Sequence, residues 1–239
     1  MRKRKGMFYA VGVGPGNPAW MTRQACDVLG FCPVIAAPKT PSGEMPALDT
    51  ARGSVDLSRK AILPLDFAPA RARSARTVEC VRAAGRIARV LDAGLDVAMV
   101  NLGDVSIYAA AYYVLDELRR REYSTQMIPG ITSFCAAAAV LGQSLTGMDQ
   151  PLHIYPGESG DLDTTLELPG TKVLMESGRA VSDTASVLSH RGLAGNAAMV
   201  ADCGLPTQRV FEVLTQPPKD AGTFCTVIVP EPKKVVRKK

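Results

Sequence analysis

Three short segments place chemically capable residues where loops are expected. The first is Gly12-Val13-Gly14-Pro15-Gly16, directly after the apolar run Phe8–Val13. Glycines there let the backbone take positive φ and let a ligand come close to the main chain. The second is Asn101-Leu102-Gly103-Asp104-Val105-Ser106-Ile107-Tyr108. Gly103 again permits close approach, and Asp104 can accept hydrogen bonds from an ammonium or from hydroxyls. Asp104 can equally cap a helix that begins at Ser106. The third is Pro129-Gly130-Ile131-Thr132-Ser133-Phe134. Thr132 and Ser133 can present hydroxyls and backbone amides to a ligand, or simply cap the helix that follows. Each turn alone has an ordinary structural reading. The three in this order are far more specific.

Several familiar chemistries are excluded. The glycine loop reads G-x-G-x-G, with Asn17 where the third glycine of a dinucleotide fingerprint belongs. The second strand runs into Pro38-Lys39, not into an acidic ribose ligand. No G-x-x-x-x-G-K-[ST] phosphate loop occurs. The six cysteines (Cys26, Cys32, Cys80, Cys135, Cys203, Cys225) form no C-x-x-C pair. His153 and His190 stand far apart, so no metal site is expected. Scattered, reduced thiols fit a cytoplasmic protein.

The elements that must position the three turns follow from periodicity. Phe8–Val13 is a buried strand, and Asn17-Pro18 opens a helix. Apolar runs at 33–37 and 61–65 are further strands. Thr77–Asp92 repeats Val78, Val81, Ala84, Ala88 and Leu91 at helical spacing and stops at Gly94. Leu95–Asn101 is a strand, Ser106–Arg121 a helix with a basic end, Thr125–Ile128 a strand and Ile131–Leu141 a small-residue helix. Alternating strands and helices of this kind make a parallel sheet covered by helices. Beyond residue 141 the pattern turns strand-rich, with candidates at 152–155, 172–175, 197–201, 209–214 and 224–229 and one strong helix, Ser182–His190. The expected organisation is an α/β chain of two domains. An N-terminal parallel-sheet domain covers 6–125 and a C-terminal mixed-sheet domain covers 126–230. Basic tails lie at 1–5 and 231–239, and the hinge falls between Arg121 and Thr132.

Composition sets the class. The chain has 239 residues, 46% of them hydrophobic, enough to bury a core and too apolar for intrinsic disorder. No apolar run approaches the roughly 20 residues of a membrane-spanning helix. The formal charge of +5 resides in the tails, because Gly6–Pro230 holds 19 basic against 22 acidic residues. Such tails read as solvated ends, and an acidic body argues against nucleic acid. The opening MRKRKGMFYAVGVG has the order of a secretory leader. Its apolar run is short, however, and ends in GPGNP with no small-x-small cleavage site, so no leader is expected.

The segments VGVGPGNP, NLGDVSIY, IPGITSF, KVLMES (Lys172–Ser177) and ADCGLPTQRV (Ala201–Val210) resemble, in order and spacing, the tetrapyrrole (class III) S-adenosylmethionine-dependent methyltransferases. The resemblance runs from Met7 to Val229. Within the family, LGD-x-x-I-Y followed by PG-[IV]-TSF resembles the branch that methylates C20 of precorrin-2 or cobalt-factor II in cobalamin biosynthesis. Many other members carry a GGDP turn. The resemblance implies a homodimer of two-domain subunits, with S-adenosylmethionine folded between the domains and a tetrapyrrole as substrate. It implies that Pro15 lines the donor site and that Leu102, Gly103, Asp104 and Ile107 contact the amino-acid and ribose parts. Thr132 and Ser133 would meet the carboxylate end. Met175 and Gly204 would approach from the second domain, with Thr226 near the adenine.

One departure matters. Several relatives have an aspartate after the second strand, proposed as a base. Here the stretch reads AAPKTPSGE, and no base carries over. Glu44 follows soon after but reads as a surface carboxylate. The implied reaction is methyl transfer from a sulfonium to an electron-rich meso carbon, which asks the protein mainly for alignment and exclusion of water. Tyr108 is a candidate proton relay, set against plain helix packing for Tyr108, Tyr112 and Tyr113. Arg71, Arg73 and Arg76 are candidate anchors for substrate carboxylates, while Arg82, Arg86 and Arg89 read as a solvated helix face. The alternatives are another precorrin carbon, ribosomal RNA, or a donor-binding protein without turnover.

Overall fold

The computed structural model describes residues 4–67, 73–156, 162–175, 181–219, 221–222 and 224–231. Arg71, most of the two basic tails, and Glu176 and Ser177 of the KVLMES segment lie outside them. The chain divides into two compact units, one ending at Thr132 and one beginning at Ser133.

The first unit is built on five parallel strands: β1 (Phe8–Gly12), β2 (Val34–Lys39), β3 (Ala61–Asp66), β4 (Val97–Asn101) and β5 (Thr125–Ile128). Their order is β3-β2-β4-β1-β5, which puts β1 between β4 and β5. Successive side chains along a strand point to opposite faces, so each strand feeds two cores. Phe8, Ala10, Ala36 and Met99 pack with Ile87 and Leu91 of α3 (Arg73–Asp92) and with Val114, Leu115 and Leu118 of α4 (Ala110–Arg120). Val11, Ile35, Ala98 and Val100 pack with Val28 and Leu29 of α1 (Arg23–Phe31) and with Leu48 of α2 (Pro46–Arg52). Apolar residues on both faces explain why these strands read as continuous apolar runs.

The boundary expected at 125/126 moves to Thr132/Ser133. The reason is β5, which pairs with β1 from Phe8↔Thr125 to Val11↔Ile128 and so belongs to the first sheet. Two helix starts also shift. Asn17 accepts the Ala19 N–H at 2.9 Å, but this caps only a single 3-10 turn at Pro18–Trp20. The chain extends again at Met21, and α1 begins at Arg23 with Thr22 as its cap, accepting the Ala25 N–H at 3.1 Å. The helix expected from Ser106 starts at Ala110, because Asp104 folds Ser106 into a tight turn and Tyr108 has φ +48.

The second unit holds α5 (Ser133–Val140), β6 (Leu152–Pro156), α6 (Leu162–Glu167), β7 (Thr171–Met175), α7 (Val181–His190), β8 (Ala198–Ala201), β9 (Arg209–Phe211) and β10 (Cys225–Val229). The sheet order is β6-β7-β10-β8-β9, with β6 and β7 parallel and the remaining pairs antiparallel. The expected mixed sheet is therefore present. Leu174, Met199, Val227 and Val229 line one face and pack against Leu166, Val181 and Leu188 of the helices. Among the described residues no helix is long and apolar enough to cross a membrane.

Candidate functional site

In the first unit, all three sequence-flagged turns leave the carboxyl ends of adjacent strands β1, β4 and β5. Ligands of open α/β sheets gather at this edge. The turns are pressed together through their backbones. Gly14 N–H donates to Gly103 O at 3.2 Å, and Gly103 N–H returns to Gly14 O at 2.8 Å. Val13 N–H donates to Asn101 O at 2.9 Å. A Cβ on Gly12 would lie 2.7 Å from Gly130 N and 2.8 Å from Gly103 O. A Cβ on Gly130 would lie 2.3 Å from Gly103 O. Only glycine permits this approach, and Gly103 itself has φ +73.

Asp104 locks the arrangement. Its Oδ1 accepts the Ser106 N–H at 2.7 Å and the Ser106 hydroxyl, and its Oδ2 accepts the Gly130 N–H at 2.9 Å. Partial burial pushes the carboxyl up. The hydrogen bonds from the Ser106 hydroxyl and from the Gly130, Ser106 and Val105 amides outweigh it and hold the group below the ordinary aspartate value. The carboxylate is thus largely committed to the protein's own backbone, joining the second turn to the third. Asn101 supports the second turn by donating to Leu102 O at 2.6 Å. Thr22 Oγ1 holds the third by donating to Pro129 O at 3.3 Å. Pro15 is buried, and Leu102 and Ile107 are half-buried. Thr132 Oγ1 is buried with no hydrogen-bond partner. A buried hydroxyl left unpaired is costly unless something else binds it.

In the second unit the structure brings Ser133, Met175 and Thr226 together. Met175 and Thr226 face each other across the β7–β10 pair, and Thr226 Oγ1 donates to Ser133 Oγ at 3.4 Å. Thr226 is only 3% exposed. Gly204 lies in the turn after β8, with φ +78 and its N–H donating to Gln208 Oε1 at 2.8 Å. That turn is organised by Asp202, which accepts the Thr207 hydroxyl at 2.8 Å and whose N–H donates to Phe224 O at 2.7 Å.

Sequence reasoning missed the supporting groups Asn101, Thr22, Asp202 and Gln208. Asn101, Asp202 and Gln208 show in the sequence only as polar residues in or near glycine turns, and Thr22 only as a residue able to cap the helix that begins at Arg23. The other candidates fall away from the turns or change role. Lys39 pairs with Asp66 at 2.7 Å at the ends of β2 and β3, and that hydrogen bond lowers the Asp66 carboxyl. Glu44 closes a local turn, accepting the Ser42 hydroxyl at 3.0 Å. Tyr108 lies ahead of α4, not within it, so helix packing does not describe it. Arg73 and Arg76 belong to α3, and Arg82 of that helix pairs with Glu79 at 3.1 Å. His153 Nε2 bonds Pro169 O at 2.9 Å. Among the described residues no cluster of three His, Cys, Asp or Glu could hold a metal. Burial pushes the Cys32 and Cys225 thiols up to about 12 and Cys203 to about 11, so they are inert packing groups.

Comparison with known proteins adds to this geometry. The family model described as Tetrapyrrole (Corrin/Porphyrin) Methylases matches residues 7–217. The cobalamin biosynthesis protein CobIJ of Mycobacterium tuberculosis is 31% identical over 216 residues. That match takes in 87% of this chain and 42% of the relative, so the chain spans less than half its length. The cobalt-precorrin-2 C(20)-methyltransferase of Salmonella typhimurium is 24% identical across 94% of this chain and 96% of its own. The solved structure of a cobalt precorrin-4 methyltransferase superposes with a TM-score of 0.72 at 18% identity, covering 94% of each chain, a likeness of fold.

Proposed function

Because the chain belongs to the tetrapyrrole (corrin/porphyrin) methylases, we propose that it transfers a methyl group from S-adenosylmethionine to C20 of precorrin-2 or cobalt-factor II during cobalamin biosynthesis. The observation that carries the reading is the braced edge of the first sheet: three turns fused through glycine backbones, with an orphaned hydroxyl at Thr132. The residues present fit the donor. Bare backbone at Gly103 and beside Pro15 suits close approach of a ribose and an amino-acid tail. The Thr132 hydroxyl suits the donor's polar end, with Leu102 and Ile107 as the apolar flanks. Asp104 keeps this loop in shape. Ser133, Met175, Gly204 and Thr226 of the second unit are the remaining donor residues in this reading. The C20 assignment is supported by the LGDVSIY and PGITSF turns and by the name of the Salmonella relative.

The donor, when bound, supplies a methyl group activated by a positively charged sulfur. A meso carbon of a reduced tetrapyrrole is already electron-rich, so this chain needs to align it and keep water away. No side chain at the three turns is an evident base. The working unit is a homodimer in the cytoplasm. The test is anaerobic incubation with S-adenosylmethionine and, in parallel, precorrin-2 and cobalt-factor II, followed by mass spectrometry and NMR. One added methyl at C20 of either substrate is the expected result. A methyl at another carbon would retain the family reading and overturn C20.

A further inference from the structure

The glycine loop after β1 is held from two sides. On one side Gly14 exchanges both backbone hydrogen bonds with Gly103. On the other lies the short helix α2, with Gly53 and Ser54 just past its end. Three contacts join this helix to the outer leg of the loop. Thr50 Oγ1 donates to Gly16 O at 3.3 Å. Ser54 Oγ donates to Pro18 O at 2.7 Å. Gly53 packs so tightly on Pro18 that a Cβ there would lie 2.3 Å from Pro18 Cγ. Gly53 has φ −69, a right-handed conformation open to any residue, so the proline ring requires the glycine and the backbone does not.

Helix stability alone does not ask for this. A threonine inside a helix commonly returns its hydroxyl to the carbonyl four residues back, and Thr50 does so with Pro46 O at 2.8 Å. The second acceptor is the informative one. Thr50 is 3% exposed and Gly16 is buried. Among the described residues no other group donates a hydrogen bond to the Gly16 carbonyl. A buried carbonyl left without a donor costs free energy. One hydroxyl proton serves both carbonyls, so the helix and the loop are fixed together. We propose that Thr50 is a positioning residue for the methyl donor. Its hydroxyl, aided by Ser54 and the bare Gly53, sets the outer leg of the glycine loop. Pro15, immediately before Gly16, then meets the donor in a shape already paid for by the fold. This rests on the donor reading above and deepens it. Thr50 acts through Gly16 and does not touch the donor.

The test compares wild type with T50V, T50S, G53A and S54A. It reads calorimetric binding of S-adenosylhomocysteine well below the melting temperature, alongside thermal unfolding. T50V keeps the side-chain shape and removes the hydroxyl, so affinity should fall about tenfold. T50S restores the hydroxyl and should bind within about twofold of wild type. G53A drives a methyl into Pro18 and should weaken binding about tenfold. S54A loses one exposed hydroxyl, keeps the fold and should cost about threefold, so it decides the matter should T50V fail to fold. A T50V protein that melts lower yet binds like wild type has a merely structural threonine. That result, a T50S loss equal to that of T50V, or unchanged affinity in S54A and G53A would each overturn the positioning role and leave the donor reading intact. Failure of the wild type to bind S-adenosylhomocysteine would overturn both together.

Discussion

Asp104 is the member of the site whose removal has the most calculable effect. In D104N one oxygen becomes an amide NH2. The surviving oxygen serves the Ser106 side best, because two donors meet there, the N–H at 2.7 Å and the hydroxyl. The NH2 then faces the Gly130 N–H, which loses its 2.9 Å acceptor. A hydrogen bond to a charged group contributes about 1.5–3 kcal/mol net, and the part-buried donor left behind adds to the cost. Partial solvation returns some of this, so the brace should weaken by about 2 kcal/mol, or roughly 30-fold. If the brace holds the second and third turns in the donor-competent shape, S-adenosylhomocysteine affinity should drop by about that factor in calorimetry. At saturating donor, kcat should change little while the donor KM rises. The control ligand is a deaminated S-adenosylhomocysteine. Equal losses for both ligands mark a brace. A loss confined to the ligand with the α-ammonium would refute the reasoning and make Asp104 a direct ligand group. The pH dependence has a definite sign. The folded carboxyl titrates below its ordinary value of 3.8. Its contribution to stability is therefore complete above the unfolded pKa and fades as pH falls through the lower folded one. The stability gap between wild type and D104N should be flat from pH 7 to about 5 and should close below about 4.

Two further substitutions probe the same edge. T132V removes the orphaned hydroxyl. It should stabilise the free protein by about 1 kcal/mol while weakening S-adenosylhomocysteine several-fold. A lower melting temperature would show that the hydroxyl is satisfied within the protein, and unchanged affinity would show that the donor does not meet it. G130A sets a Cβ 2.3 Å from Gly103 O and should cost about 3 kcal/mol in denaturant unfolding. G30A on α1, with nothing within 4 Å, should be neutral or stabilising, and equal effects at both glycines would sink the close-packing account.

Much of the fold was legible because its cause is local. The strands of the first sheet are buried on both faces, so they appear as apolar runs closed by glycine or proline. The long helix α3 shows its period in Val81, Ala84, Ala88 and Leu91. Short helices escaped notice. In α2, seven residues beginning at Pro46, the side-chain period has no room to repeat. The units part at Thr132, at the edge of the 121–132 stretch where the sequence places the hinge, and the exact place is hard to read for a different reason. Thr125–Ile128 reads as a strand, but nothing in its four residues says that it pairs with β1, more than a hundred residues earlier.

The site divides along the same line. Which turns matter could be read from residue types, since glycine, proline and short polar side chains at strand ends have few other uses. How they cooperate could not. Asp104 reads in sequence as either a ligand group or the cap of a helix at Ser106. The structure gives it a third part, because its second oxygen reaches Gly130, 26 positions away. α4 begins only at Ala110, and Tyr108 ahead of it has φ +48. A sequence pattern that looked like the first turn of a helix is instead a loop, held by a bond that no local pattern announces.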